Sequence, residues 1–167
     1  MSLQFDLHPL CTRVREVFSY DPQTGELRRL VKTSSRAKVG SVVGCKDRHG
    51  HLRVAFNGKG YAAHRLVWLH MTGQMPQGDV DHINGVRDDN RWSNLRDVPH
   101  RVNLQNRKRA TAGNKSGFLG VSRRNSSYLA RINENGKQIC LGSFGSAEEA
   151  HSAYLIAKRD LHSGCTL

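Results

Sequence analysis

Three Asn-Gly pairs, Asn57-Gly58, Asn84-Gly85 and Asn135-Gly136, punctuate this chain of 167 residues and constrain its fold more than any other feature. Asn and Gly tolerate the positive φ that tight reversals demand, so a pair between short extended runs predicts an antiparallel turn. Before the first pair, Leu52, Val54 and Phe56 alternate with Arg53 and Ala55, the period of a half-buried strand. Around the third, Ala130 and Ile132 alternate with Arg131 and Asn133, and Ile139 and Leu141 with Gln138 and Cys140. Leu119 and Val121 supply one more such run, so three antiparallel strands are expected there. The second pair closes a tight turn after a short strand, Asp79 to Ile83.

Helical signals fill the gaps. Leu10 to Phe18 predicts one or two helical turns, followed by Asp21-Pro22 and Thr24-Gly25, which mark a turn between short extended pieces. Ala62 to Thr72 predicts a helix with a partly apolar face, stopped by Gly73. Ser146-Ala147-Glu148-Glu149 forms a capping box, and Ala147, Ala150, Ala153, Tyr154 and Ala157 line one face of the helix it opens. The fold class expected is α+β. The expected divisions are a β-rich N-terminal region (1–60), a central domain (61–108), a basic linker (109–117) and a C-terminal domain (118–163). In the first of these, Lys46, Arg48, Arg53 and Lys59 suit a phosphate backbone and ordinary solvent equally well.

Charge narrows the partner. Lys and Arg number 26 against 14 Asp and Glu, a net charge of +12, which implies a polyanion: nucleic acid or an anionic membrane surface. No apolar run approaches the roughly 20 residues of a membrane span, and the start does not read as a signal peptide, so an intracellular, cytoplasmic protein is expected. No acidic residue falls between Asp97 and Glu134, whereas Arg101, Arg107, Lys108, Arg109, Lys115, Arg123, Arg124 and Arg131 all do. A one-signed stretch repels itself unless something negative lies along it, which favours phosphate contacts. Cys11, Cys45, Cys140 and Cys165 include no C-x-x-C pair, which disfavours a structural zinc site and a disulfide framework alike.

The chemistry concentrates in Val80 to Arg107, VDHINGVRDDNRWSNLRDVPHRVNLQNR. The expected order is a strand, a polar loop over Asp88 to Ser93, a returning strand over Asn94 to Val98, and a helix from Pro99 to about Lys108. Phosphodiester hydrolysis needs an activated water, charge neutralisation at the phosphate and help for the leaving oxygen. Asp81 offers an anionic oxygen and Asn103 a carbonyl oxygen, a donor pair suited to a hard cation such as Mg²⁺. His82 is the candidate base, since a histidine is readily neutral near pH 7. Asn94 is placed to bridge loop backbone and orient His82, and Asn106 follows Asn103 by one helical turn.

The block resembles the HNH, or ββα-metal, nuclease motif in the form found in phage and intron-encoded homing endonucleases. The residues that carry the resemblance are Ala63-His64-Arg65-Leu66-Val67-Trp68, Asp81-His82-Ile83-Asn84-Gly85, Asp89-Asn90-Arg91, Asn94-Leu95-Arg96 and Asn103. The resemblance implies that His82 is the general base, that Asp81 and Asn103 hold one divalent ion, Mg²⁺ or Mn²⁺, and that Asn94 is the central structural asparagine. Many HNH enzymes have histidine at the third motif position; asparagine here suits a hard metal better than zinc. His64, Arg65, Asn90, His100 and Asn106 are second-tier candidates.

Beyond the linker, Gly120-Val121, Ala130-Arg131-Ile132, Leu141-Gly142-Ser143-Phe144, Glu148-Glu149-Ala150 and Ala153-Tyr154 resemble the AP2/ERF DNA-binding domain. That likeness implies a sheet entering the major groove, with Ser122, Arg124, Arg131, Asn133 and Gln138 facing DNA and Arg123 on phosphate. Together the two imply a homing-type endonuclease acting on double-stranded DNA, as monomer or homodimer, nicking or cutting both strands to leave 5′-phosphate and 3′-hydroxyl. The alternatives are a non-catalytic DNA-binding regulator with a decayed site and, less favoured, a protein directed at RNA.

Overall fold

The structure, a computed structural model, describes residues 7–108, 110–111, 113–162 and 165. They divide between Pro99 and His100 into two compact units.

In the first unit, α1 (Pro9–Val17) opens with a proline where a helix has no use for an N–H, and the His8 ring accepts from the Leu10 N–H. It buries Cys11, Val14 and Val17. The chain runs on into a hairpin of β1 (Phe18–Tyr20) and β2 (Leu27–Arg29), its turn held by the Asp21 carboxylate, which accepts from the Gln23 N–H at 2.8 Å. A three-stranded antiparallel sheet follows: β3 (Cys45–Lys46), β4 (Leu52–Phe56) and β5 (Lys59–Ala62), in the order β3-β4-β5. Asn57 and Gly58 close its second hairpin with φ of 49° and 72°, as an Asn-Gly reversal requires. α2 (Ala63–Thr72) stops at Gly73, whose φ of 79° lets its N–H reach the Leu69 carbonyl. Last come β6 (Asp79–His82) and β7 (Leu95–Val98), antiparallel with Asp79 opposite Val98 and His82 opposite Leu95.

These elements share one core. Val14, Val17, Phe18, Leu27, Val54, Phe56, Leu66, Val67, Leu69, Val80 and Leu95 pack in a single cluster. At roughly 1.5–3 kcal/mol per fully buried aliphatic or aromatic side chain, that cluster dominates the unit's stability. The 60/61 division drawn from sequence falls inside this core, because the buried face of α2 packs on α1 and on β4 and β5 before it as well as on β6 after it.

The second unit begins with α3 (His100–Gln105), shorter than the expected run to Lys108. None of its residues is buried, so no apolar face extends the helix further. β8 (Val121–Arg124), β9 (Ser127–Glu134) and β10 (Lys137–Phe144) form an antiparallel sheet with β9 in the middle. Asn135 and Gly136 close the β9–β10 turn with φ of 53° and 79°. The Ser146 side chain accepts from the Glu149 N–H and caps α4 (Ala147–Leu161). Val121, Ala130 and Ala150 form a small core, with Phe118, Tyr128, Leu141 and Phe144 against it. A side chain at Gly120 would strike the Tyr154 ring at 2.0 Å, so only glycine lets the helix lie this close. Ile139, on β10 at the edge of the sheet, is exposed. Among the described residues no helix is long and apolar enough to cross a membrane.

Candidate active site

Among the described residues of its unit, the β6–β7 hairpin and its loop hold all the buried polar side chains. Asp81 is 7% exposed, His82 5%, Asn90 2% and Asn94 6%. A buried polar group costs free energy unless it is hydrogen-bonded, so the bonds these residues make define the site.

Asp81 faces Arg96 across the antiparallel register, and Arg96 donates through Nε (2.9 Å) and Nη2 (2.8 Å) to Oδ2 of Asp81. The sequence placed both residues on strands, but this ion pair depends on the register, which no residue pattern announced. His82 lies next along β6, with Nε2 3.0 Å from Oδ1 of Asn90. Asn94 ends a single 3-10 turn (Trp92–Asn94) rather than opening β7. Its Oδ1 accepts from the Asn84 N–H at 2.9 Å, and its Nδ2 donates to the Asp89 carbonyl at 2.7 Å. That side chain therefore ties the backbone of Asn84 to that of Asp89 within the connecting loop. Asp89 takes two bonds from Arg91 (2.8 and 2.6 Å), and these hold its carboxyl down to about 2, with Asn84 Nδ2 adding a third contact.

Two further histidines pack on His82. The His64 ring, in the first turn of α2, meets it edge-on with centroids 5.1 Å apart. The His51 ring, just before β4, is 5.9 Å from His82 and 5.5 Å from His64. Burial drives the His64 pKa down to about 3, reinforced by His82 and then His51. His51 is likewise lowered, first by burial and then by the Arg87 charge. Nδ1 of His64 is buried without a hydrogen-bond partner among the described residues. These are rings packed as rings: among the described residues no group of three or more His, Cys, Asp or Glu is arranged to hold a metal ion. His51 was not a sequence candidate, since nothing local distinguishes it from His49 two residues before. Arg65, beside His64, donates to the Gly78 carbonyl at 3.3 Å and so braces the entry to β6.

The remaining candidates belong to the second unit. Asn103 is half-buried on α3, His100 is exposed at the start of that helix, and Asn106 is buried just beyond it, its N–H on the Asn103 carbonyl. Arg107, Lys108 and Lys115 are exposed; Arg109 lies outside the described residues. On the sheet, Ser122, Arg123, Arg124, Arg131, Asn133 and Gln138 are all exposed, with Arg131 Nη1 3.3 Å from Oε1 of Gln138. Lys158, absent from the sequence candidates, is buried in α4; its Nζ donates to the Arg107 carbonyl at 2.6 Å and burial lowers its pKa.

No curated protein and no solved structure matches this chain. A family model described as HNH endonuclease matches residues 61–105, the stretch that holds α2, the β6–β7 hairpin and α3. That match supports an HNH nuclease.

Proposed function

We propose that the chain is a metal-dependent DNA endonuclease of HNH type, directed to chosen sites in the homing manner, with His82 as general base. The observation that carries this reading is a buried Asp81-His82 pair on a hairpin whose loop is tied shut by Asn94, inside the matched segment. His82 takes a proton from water, and the water oxygen attacks phosphorus. The bond to the 3′ oxygen breaks, that oxygen takes up a proton from solvent water, and the ends left are 5′-phosphate and 3′-hydroxyl. Asp81, with Asn103, would hold one hard divalent ion, Mg²⁺ or Mn²⁺, since both supply oxygen donors. Such an ion, when bound, neutralises charge at the phosphate and on the departing oxygen. The Arg96 guanidinium, through its two bonds to Oδ2, holds the Asp81 carboxylate in one orientation.

Substrate grip would come from the second unit. Arg124, Arg131, Asn133, Gln138 and Ser122 would enter the major groove from an AP2-like sheet, while Arg107, Lys108, Arg109, Lys115 and Arg123 lie along phosphates. One site per chain favours nicking, and a homodimer would place two. The test is supercoiled plasmid with Mg²⁺ or Mn²⁺: relaxed circles should form, and EDTA should abolish them. The non-catalytic alternative, which the family match does not favour, predicts salt-sensitive binding indifferent to EDTA.

A further inference from the structure

We infer that Asn90 is the residue that orients His82, and that the N-terminal β1–β2 turn serves to brace Asn90. Its role in catalysis rests on the proposed reading of His82 as the base. Asn94, the expected orienting group, spends its amide on loop backbone at both ends. The ring bond of His82 goes to Asn90, one of the most completely buried side chains in the protein, at Oδ1···Nε2 3.0 Å. A carbonyl oxygen accepts only, so this contact puts the proton on Nε2 and the basic lone pair on Nδ1. The base is thereby held as a single tautomer and in one ring orientation.

The backbone of Asn90 is fixed from a region remote in sequence. Tyr20 Oη donates to the Asn90 carbonyl at 2.8 Å. The Pro22 carbonyl accepts from the Trp92 N–H at 3.1 Å. Gly25 packs so closely that a Cβ there would lie 2.5 Å from the Arg91 nitrogen and 2.6 Å from the Asn90 carbonyl carbon. With φ of +78° at the same residue, this turn admits no side chain. Burial pushes the Tyr20 hydroxyl pKa up to about 12, helped by Asp21 and Asp89, so it remains a donor throughout the working range. Three separate contacts thus converge on Asn90 to Trp92 from one turn. The turn is a brace for the residue that holds His82.

The experiment uses the full metal-free chain with ¹⁵N-labelled histidine, at a pH of about 8, above the ordinary histidine pKa. Ring ¹⁵N shifts distinguish a protonated Nε2 from a protonated Nδ1, and the His82 signal is assigned from a His82→Gln sample. Wild type should show Nε2–H. Asn90→Leu should show mixed tautomers and lose plasmid-nicking kcat by about 10- to 100-fold with KM little changed. Asn90→Asp, which keeps an acceptor, should recover the Nε2–H signature and most of the rate that Asn90→Leu loses. Tyr20→Phe should shift both readouts the same way but less, by about threefold in kcat. An Nδ1–H signature in wild type, or an Asn90→Leu protein that keeps signature and rate, overturns the assignment of Asn90. Unchanged readouts in Tyr20→Phe overturn the brace. If wild type nicks no plasmid, the nuclease reading falls while the tautomer measurement still decides the positioning.

Discussion

The β6–β7 hairpin and the β8–β10 sheet both consist of short antiparallel strands dense in polar residues, yet they use those residues in opposite ways. On the hairpin Asp81, His82, Asn90 and Asn94 are buried and bonded to particular groups: Arg96, each other, or loop backbone. On the sheet Arg124, Arg131, Asn133 and Gln138 stand exposed, while apolar residues such as Val121, Ala130 and Ile132 carry the packing beneath. Burying a polar side chain costs free energy unless its bonds are made, so a protein does it where geometry matters. Leaving basic side chains in solvent keeps them long-ranged and adaptable, which suits contact with a phosphate backbone. One region is built to hold a few atoms still, the other to present charge.

The sharpest way to break that contrast is His82→Ala. Plasmid nicking should fall by ~10²–10⁴-fold, while circular dichroism and DNA retention stay near wild type. Nicking at the wild-type rate would remove the hairpin from the chemistry altogether.

Acid should separate the regions next. His64 is neutral in the folded chain down to about pH 3 but protonates near 6.5 once unfolded. Between those values the unfolded chain binds more protons, so its contribution to stability is full above about 6.5 and is lost as pH falls toward 3. Asp89, held down to about 2, loses its contribution in the same direction but at lower pH. Urea midpoints followed at Trp68 and Trp92, both packed in the first unit, should therefore drop on acidification. In His64→Phe the slope should flatten by about one proton. An unchanged slope would mean that His64 does not govern the acid response.

The sheet has its own test. Arg124→Ala with Arg131→Ala should weaken binding to duplex DNA and lower the salt slope, log Kd against log salt, by about 2. Nicking of DNA at saturating concentration should survive. An unaltered slope would show that the exposed face does not carry phosphate contacts. Smallest is Ser146→Ala, which removes the N-cap of α4 and should cost about 1 kcal/mol. Denaturation of the second unit, read from Tyr128 and Tyr154 fluorescence, should report it.

Most of the local architecture was legible in the residues. Two Asn-Gly pairs closed hairpins at the expected places, Gly73 ended α2, and Ser146 capped α4. The reversal at Asn125 between β8 and β9 carried no Asn-Gly signal and still adopts φ of 53°. The Asp81-His82 pair and the loop-closing Asn94 were also readable, because their placement on a hairpin follows from strand and turn patterns alone.

What the sequence determined by itself is therefore everything set by a few neighbouring backbone angles: turns, caps, helix stops, and the polar residues that a hairpin would carry. Tertiary structure alone decided the company those residues keep. Arg96 meets Asp81 through register, His51 and His64 reach His82 from two other elements, and Tyr20 reaches Asn90 from a hairpin seventy positions earlier. Each of these meetings depends on how one core closes over distant segments, and no local preference encodes which side chains that closure brings together.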